Sequence, residues 1–192
     1  PQGRILIENS DFESSHQYYG THFPYLFPLL TDRQYIGNYS PYAKSRDSYA
    51  TFFWGYLFGK KIDRLGNEQV WPYMNLYNIK WVIVWSGVSK KFFSSYPNTY
   101  ALKTRIDKFC IYEVKRKPSF FLKGQGKLTA SVNRIELSDL KPQDHEVIIS
   151  YRWMKYLCTK PARVCLESRV FLDDPGGFVC LKDPPAHVVI YT

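Results

Sequence analysis

The sequence has no long hydrophobic run, and this absence excludes a membrane-spanning helix within the chain. Its most apolar stretch, residues 79–85, is seven residues long and includes one charged residue, Lys80. A helix that crosses a bilayer needs about 20 mostly apolar residues. A short run rich in Val, Ile and Trp instead predicts a fully buried strand, so we expect the chain to fold in water.

The motifs of several common enzyme classes are also missing. Neither Gly-x-Ser-x-Gly nor Gly-x-Gly-x-x-Gly occurs, which removes the usual sequence signatures of serine hydrolases and dinucleotide-binding folds. The Gly-Lys-Lys at 59–61 lacks the glycine-rich lead of a phosphate-binding loop. The sequence therefore names no catalytic residue.

Cysteine is scarce, and its spacing excludes two further classes of site. The four cysteines form no Cys-x-x-Cys pair, which leaves zinc-ribbon and thioredoxin-like sites without support; they are Cys110, Cys158, Cys165 and Cys180. They are either small core residues or partners in a disulfide between neighbouring strands, and the sequence leaves this open. The sequence implies no cofactor and no metal.

Acidic residues are fewer than basic ones: the chain has 17 Asp and Glu and 26 Lys and Arg, which gives a formal net charge of +9. Such a balance suits nucleic acid, anionic lipid or an acidic substrate. The basic residues are scattered, and no zinc-finger spacing, RNP motif or AT-hook is present. We therefore do not expect a nucleic-acid partner, whereas an anionic membrane surface explains the charge equally well.

Aromatic residues are abundant, at 18% of the chain, with 16 tyrosines among them. Tyr and Trp suit half-exposed positions on carbohydrate-binding faces, protein interfaces and membrane-proximal surfaces. They are equally typical of a strand-rich fold. The chain begins at Pro1 with neither an initiating methionine nor a signal segment, so we expect a processed piece of a longer protein.

The first part of the chain, residues 1–117, alternates strand and helix signals and predicts a small α/β unit with a mixed sheet. Residues 107–108 (Asp-Lys) join two strands as a tight hairpin connection. Ser45 is the predicted N-cap of an aromatic helix over 45–59. The strands are expected at 4–8, 79–86, 100–106 and 109–115. A second helix is expected at 69–78, with Pro72 in its first turn, and a short helix or turn at 89–96.

The second part, residues 118–192, loses the helix signals and predicts an antiparallel β-sandwich of jelly-roll type. The whole chain is therefore expected to be α+β. The sandwich is short for a full jelly roll, so it would borrow a strand from the first part. A change of face near Asn133 suggests a bulge or bend. Six strand-like runs are expected, at 119–124, 126–138, 145–154, 162–170, 176–183 and 187–192.

A carboxylate–histidine loop is the first candidate site, because Glu8, Asp11, His16 and His22 fall close together in one irregular segment. Such a cluster could bind a cation or serve acid–base chemistry. The spacing matches no metal motif, so ordinary structural roles are the alternative.

An aromatic segment is the second candidate, because Tyr151, Trp153 and Tyr156 lie close together beside basic residues. Tyr151 and Trp153 share a face of the expected strand and could stack on a sugar ring, or could cap the sandwich core. Two other segments give weaker signals. Residues 173–177 (Asp-Asp-Pro-Gly-Gly) predict a turn or, alternatively, a set of calcium ligands. Residues 133–137 could form a polar network on a strand.

Several stretches, in their order along the chain, resemble one group of membrane proteins: residues 3–11, 21–38, 73–86, 109–137 and 173–185. The chain is similar to the extracytoplasmic C-terminal region of large multipass proteins of the GT-C glycosyltransferase-like and YfhO-like kind, some labelled 6-pyruvoyl-tetrahydropterin synthase-related. That class carries its catalytic carboxylate in an early loop between membrane helices, which this chain does not contain. The resemblance therefore transfers no catalytic residue.

The resemblance implies an accessory domain on the extracytoplasmic side of the cell membrane. Such a domain would position a glycan, a lipid-linked sugar or an acceptor beside the membrane-embedded remainder of the parent chain, without catalysing the reaction itself. One alternative is an independent hydrolase or transferase that uses the carboxylate–histidine loop. Another is a scaffold that contacts a protein partner through the helix at 45–59. The ligand and the oligomeric state are left open.

Overall fold

The computed structural model describes residues 3–9, 27–37, 49–53 and 55–192, and most of these residues are in strands. The fold is α+β, with mixed and antiparallel sheets, as the sequence predicts. The chain divides into two compact units, and the boundary in the sequence falls between Pro118 and Ser119. No helix in the described ranges has the length and hydropathy that crossing a membrane requires.

The first unit is built on a five-stranded mixed sheet in the order β2-β1-β6-β8-β7. The strands β2, β1 and β6 run parallel to one another. β8 is antiparallel to β6, and the edge strand β7 is antiparallel to β8. Its elements are β1 (Arg4–Ile7), α1 (Phe27–Leu30), β2 (Tyr35–Ile36), β3 (Phe52–Phe53), β4 (Tyr56–Leu57), β5 (Lys60–Lys61), a 3-10 turn (Ile62–Arg64), α2 (Asn67–Leu76), β6 (Ile79–Val84), α3 (Gly87–Ser95), β7 (Tyr100–Ile106) and β8 (Phe109–Val114).

The apolar run that is most prominent in the sequence becomes β6, the central strand of this sheet. Ile79, Val82 and Val84 have no exposed surface, whereas the residues between them are half-buried. The helix α2 precedes this strand and begins at Asn67, where the Gly66 backbone N–H donates to the side chain of Gln69 at 2.9 Å. Because α2 starts earlier than predicted, its proline lies in the second turn instead of the first.

The predicted helix over 45–59 is wrong where the structure describes it. Phe52–Phe53, Tyr56–Leu57 and Lys60–Lys61 form three two-residue strands, in the order β3-β4-β5. Gly55 and Gly59 lie between these strands at φ of +75° and +72°, a left-handed conformation that glycine adopts without strain. Phe52 and Leu57 are completely buried, so the aromatic and aliphatic pattern reflects packing of a small sheet.

The hairpin predicted at 107–108 is confirmed. Ile106 on β7 pairs with Phe109 on β8, and Asp107 takes a φ of +51° in the two-residue turn between them. Aspartate tolerates this left-handed conformation better than most residues with a side chain.

The second unit is a β-sandwich of two four-stranded antiparallel sheets, in the orders β10-β11-β16-β13 and β14-β15-β12-β9. Its strands are β9 (Phe121–Lys123), β10 (Gln125–Ser131), β11 (Arg134–Lys141), β12 (Glu146–Arg152), β13 (Cys158–Lys160), β14 (Cys165–Phe171), β15 (Asp174–Lys182) and β16 (Val188–Tyr191). Leu137 and Ile190 from one sheet and Ile149 and Leu181 from the other share one buried core. The sandwich prediction is therefore confirmed.

The strand count differs from the six runs read in the sequence. The run at 126–138 folds into two strands, because residues 132–133 make a turn with Asn133 at a φ of +58°. The short β13 adds another strand by pairing with β16. All eight strands come from this unit, so the sandwich reaches the strand number of a jelly roll without a strand borrowed from the first unit.

Candidate functional site

The outer face of the sheet β10-β11-β16-β13 carries polar and aromatic side chains in two adjacent rows. Strand alternation sends Val188 and Ile190 of β16 into the core, which turns Tyr191 toward the outside. Tyr191 lies opposite Arg134 on β11 and opposite Cys158 on β13. These three side chains form the first row, and the Tyr191 side chain is 42% exposed.

The second row places one apolar residue between two charges. Val189 of β16 lies opposite Glu136 on one neighbouring strand and opposite Lys160 on the other. His187, just before β16, contacts the same carboxylate, with 3.1 Å between its Nε2 and Oε1 of Glu136. Arg134 donates to Oε2 of Glu136 at 3.3 Å. The carboxylate therefore connects the two rows.

Several of these side chains line an open groove of about 700 Å³ on the outer face of the sheet, and Glu136 lies beside it. Val189, only 7% exposed, lies at its floor, and charged and aromatic side chains stand around it. The lining residues are Arg134, Lys160, Pro161, His187, Val189 and Tyr191. A small apolar floor with a few convergent polar groups is the usual character of a ligand site.

The electrostatics of the groove favour polar or anionic ligands. The hydrogen bond with His187, and after it the one from Arg134, lower the pKa of the Glu136 carboxyl. Glu136 is therefore ionised at neutral pH and accepts hydrogen bonds. The cations Arg134 and Lys160 exceed this single negative charge, so the rim of the groove is positive on balance.

The aromatic residues singled out in the sequence do not line this groove. Tyr151 and Trp153 are half-buried and pack against the sandwich core, and the ring of Tyr151 lies 5.4 Å from that of Phe120. Tyr156 is 59% exposed, with its hydroxyl 3.0 Å from the sulfur of Met154. The first two therefore act as a cap on the core, and Tyr156 is the member that a ligand reaches most easily.

The carboxylate–histidine loop is represented by Glu8 alone, since Asp11, His16 and His22 lie outside the described residues. Glu8 follows β1 and is only 2% exposed. Both of its oxygens accept hydrogen bonds, at 2.6 to 3.1 Å, from the backbone of Gly55, Trp85 and Ser86 and from the hydroxyls of Ser86 and Ser89. With these donors in place, Glu8 serves to hold three segments together.

Metal-ligand sets are absent from the described ranges: no group of three His, Cys, Asp or Glu side chains there is placed to hold an ion. At 173–177 the turn comes earlier than predicted, and Asp174 already belongs to β15. Asp174 is completely buried, and its carboxylate forms an ion pair of 2.7 Å with Arg152. The backbone N–H of Gly176 donates to the same carboxylate at 2.9 Å. Both oxygens of this carboxylate are therefore engaged by protein groups.

Comparison of the chain with protein-family models, with curated proteins and with solved structures finds no match. The groove was also not recognisable in the sequence, because its residues are spread from Arg134 to Tyr191 over three strands. The polar network proposed for 133–137 is the one part of the site that the sequence indicates, because it contains Arg134, which lines the groove, and Glu136, which bonds Arg134 and His187. The pairing of β11 and β13 with β16 brings the others beside them.

Proposed function

We propose that the sandwich unit binds carbohydrate in the groove around Tyr191. Pyranose rings present an apolar C–H face and a rim of hydroxyl groups. A half-exposed tyrosine beside charged hydrogen-bonding side chains offers a partner for each. The observation that carries the proposal is the cross-strand placement of Tyr191 next to Arg134, with the hydrogen-bonded pair His187 and Glu136 in the adjacent row.

The charged side chains at the groove supply both acceptors and donors for hydrogen bonds with a sugar. Glu136 accepts from sugar hydroxyls because its carboxyl stays ionised, while Arg134 and Lys160 donate. The excess of positive charge suits a glycan that carries a phosphate or carboxylate group, such as a lipid-linked sugar. No nucleophile and base are joined in this groove, so binding without turnover is the function we propose for it.

The resemblance noted in the sequence supplies a biological setting for the same proposal. The chain would be an accessory extracytoplasmic head of a membrane glycosyltransferase-like parent and would hold a glycan or acceptor near the membrane. The alternatives have less support. Glu8 is fully engaged in hydrogen bonds, which weakens the loop enzyme, and the segment 52–61 is not the helix that the scaffold hypothesis needs.

A glycan screen followed by calorimetric titration tests the proposal directly. The 192-residue chain is titrated with neutral and acidic oligosaccharides that score in the screen. We expect Tyr191→Ala to lower the affinity about 10-fold, since a lost ring contact costs about 1.4 kcal/mol. Arg134→Gln should weaken acidic ligands more than neutral ones.

Tyr156→Ala is the matched control, because it removes another exposed tyrosine of the same unit, one that does not line the groove. It should bind like the unchanged chain. If Tyr156→Ala loses binding and Tyr191→Ala keeps it, the site lies at the aromatic segment 151–156 instead. If no oligosaccharide binds, the carbohydrate proposal is wrong.

A further inference from the structure

The hairpin between β7 and β8 in the first unit presents an apolar side chain to solvent at its tip. Ile106 is 60% exposed although its pairing partner Phe109 is half-buried. An isoleucine with this much exposure gains little stabilisation from burial of its side chain. Its neighbours Arg105 and Asp107 are exposed as well, so the tip combines one large apolar group with charges.

Positive charge and aromatic rings surround this tip. The ammonium group of Lys108 lies 5.1 Å from the ring centroid of Trp85 and 5.7 Å from that of Phe109. This places the hairpin beside the residues that lead into α3. Such cation–π contacts hold the ammonium group over the rings, and both aromatic residues are half-buried.

Lys90 and Lys108, two of the cations at this end of the unit, are close enough to repel each other. The pKa of Lys108 is lowered, chiefly by partial burial; Asp107 opposes the shift, and the nearby charge of Lys90 on α3 adds to it. Arg105 belongs to the same hairpin end, since it pairs with Cys110 directly beside the pair formed by Ile106 and Phe109. Three cations, Lys90, Arg105 and Lys108, therefore share this region with the single turn carboxylate of Asp107.

We infer that this tip patch, defined as Lys90, Arg105, Ile106 and Lys108 with the ring of Trp85, docks on the surface of an anionic lipid bilayer. Clustered Lys and Arg side chains are drawn to anionic headgroups. Tryptophan and the long stem of lysine settle at the interface, and an exposed aliphatic side chain enters the acyl boundary. Charge complementarity and the apolar tip together favour lipid over nucleic acid, because a phosphodiester backbone offers Ile106 no partner.

Vesicle co-sedimentation of the full 192-residue chain tests this inference. The probes are vesicles of phosphatidylcholine alone and vesicles with 30% phosphatidylglycerol, each at low and at physiological salt. We expect binding to the anionic vesicles only, and weaker binding at the higher salt. Arg105→Gln should lower the vesicle affinity about five-fold, since each Lys or Arg near an anionic surface contributes on that scale.

Ile106→Asp should lower the affinity at least 10-fold, because it removes the apolar tip and adds a negative charge. Val132→Asp is the matched control: Val132 is 89% exposed at the β10–β11 turn of the sandwich unit, so the same change there should leave vesicle binding unaltered. Both positions are exposed at the tip of a hairpin, Ile106 as the last residue of β7 and Val132 in the turn itself. A thermal melt verifies that each variant folds.

Three results would overturn the inference. These are no preference for anionic vesicles, equal effects of Ile106→Asp and Val132→Asp, or tighter binding to a single- or double-stranded oligonucleotide than to the vesicles. The last result would assign the patch to nucleic acid. The carbohydrate proposal is tested by variants of the other unit, so either proposal can fail while the other stands.

Discussion

Glu8 and Ser86 are joined by two hydrogen bonds, although 78 positions separate them in the chain. The Ser86 hydroxyl donates to Oε1 at 2.6 Å, and its backbone N–H donates to Oε2 at 3.1 Å. Ser86 is also the N-cap of α3 and accepts from the backbone N–H of Ser89. One buried carboxylate thereby ties the end of β1 to the start of a helix.

Removing this carboxylate should destabilise the first unit strongly. Glu8→Ala leaves several buried donors without an acceptor, and we expect the free energy of unfolding to fall by about 3 kcal/mol. Glu8→Gln keeps one acceptor oxygen and should cost less. Urea titration followed by circular dichroism measures both. The exposed Asp63→Asn serves as control and should change stability little; a similar small effect for Glu8→Ala would contradict the structural role.

Breaking the ion pair between Arg152 and Asp174 should destabilise the second unit strongly, as is typical of buried ion pairs. Arg152→Met keeps most of the side-chain volume but leaves the fully buried Asp174 unpaired, so we expect a loss of about 3 kcal/mol. The double variant with Asp174→Asn should regain part of this. Lys127→Met breaks an exposed pair with Asp139 and should cost less than about 1 kcal/mol. Equal losses for Arg152→Met and Lys127→Met, by denaturant titration, would show that the burial is unimportant.

The stability of the first unit should depend on pH through Glu113. Hydrogen bonds from Lys103 and then Lys80, at 2.7 and 2.8 Å, lower the pKa of Glu113 from 4.5 to about 2. A folded-state pKa below the unfolded value means that the contribution is complete above about pH 4.5. It is lost as the pH falls toward 2.

Melting temperatures of the unchanged chain and of Glu113→Gln, measured from pH 7 to pH 2, check this sign. The difference between the two should be constant above about pH 5 and should shrink toward zero near pH 2. A difference that grows as the pH falls would contradict the assignment.

All four cysteines are free in the structure. Cys158 and Cys165 are exposed and should react with a thiol reagent in the native protein, whereas Cys110 and Cys180 are buried and should react only after unfolding. Burial also raises the pKa of the Cys180 thiol, which reduces its thiolate fraction further. Counting thiols with Ellman's reagent before and after denaturation should give two and four. Any other native count would mean that a cysteine is paired or that a strand is open.

Local patterns in the sequence were sufficient for elements whose composition and periodicity agree. The run around Val82 is a central strand, and the Asp107–Lys108 turn joins a hairpin, as predicted. The helix predicted around Phe52 was wrong, because the aromatic spacing there fits a helix and a small sheet equally well. The turns at Gly55 and Gly59 favour the sheet. At Asn133 a single left-handed residue turned an expected bend into a full reversal of the chain.

The sequence by itself determined the two-part character of this protein: alternating helix and strand signals before Pro118, and short strands with turn residues after it. These signals are local, since burial of an apolar face and the φ values that turns require depend on near neighbours. Only the tertiary structure decided that Tyr191 lies beside Arg134, and that Glu8 is a hydrogen-bonded anchor instead of a free acid. Those relationships depend on strand register and on contacts across dozens of positions, and no local pattern specifies which distant residues will meet.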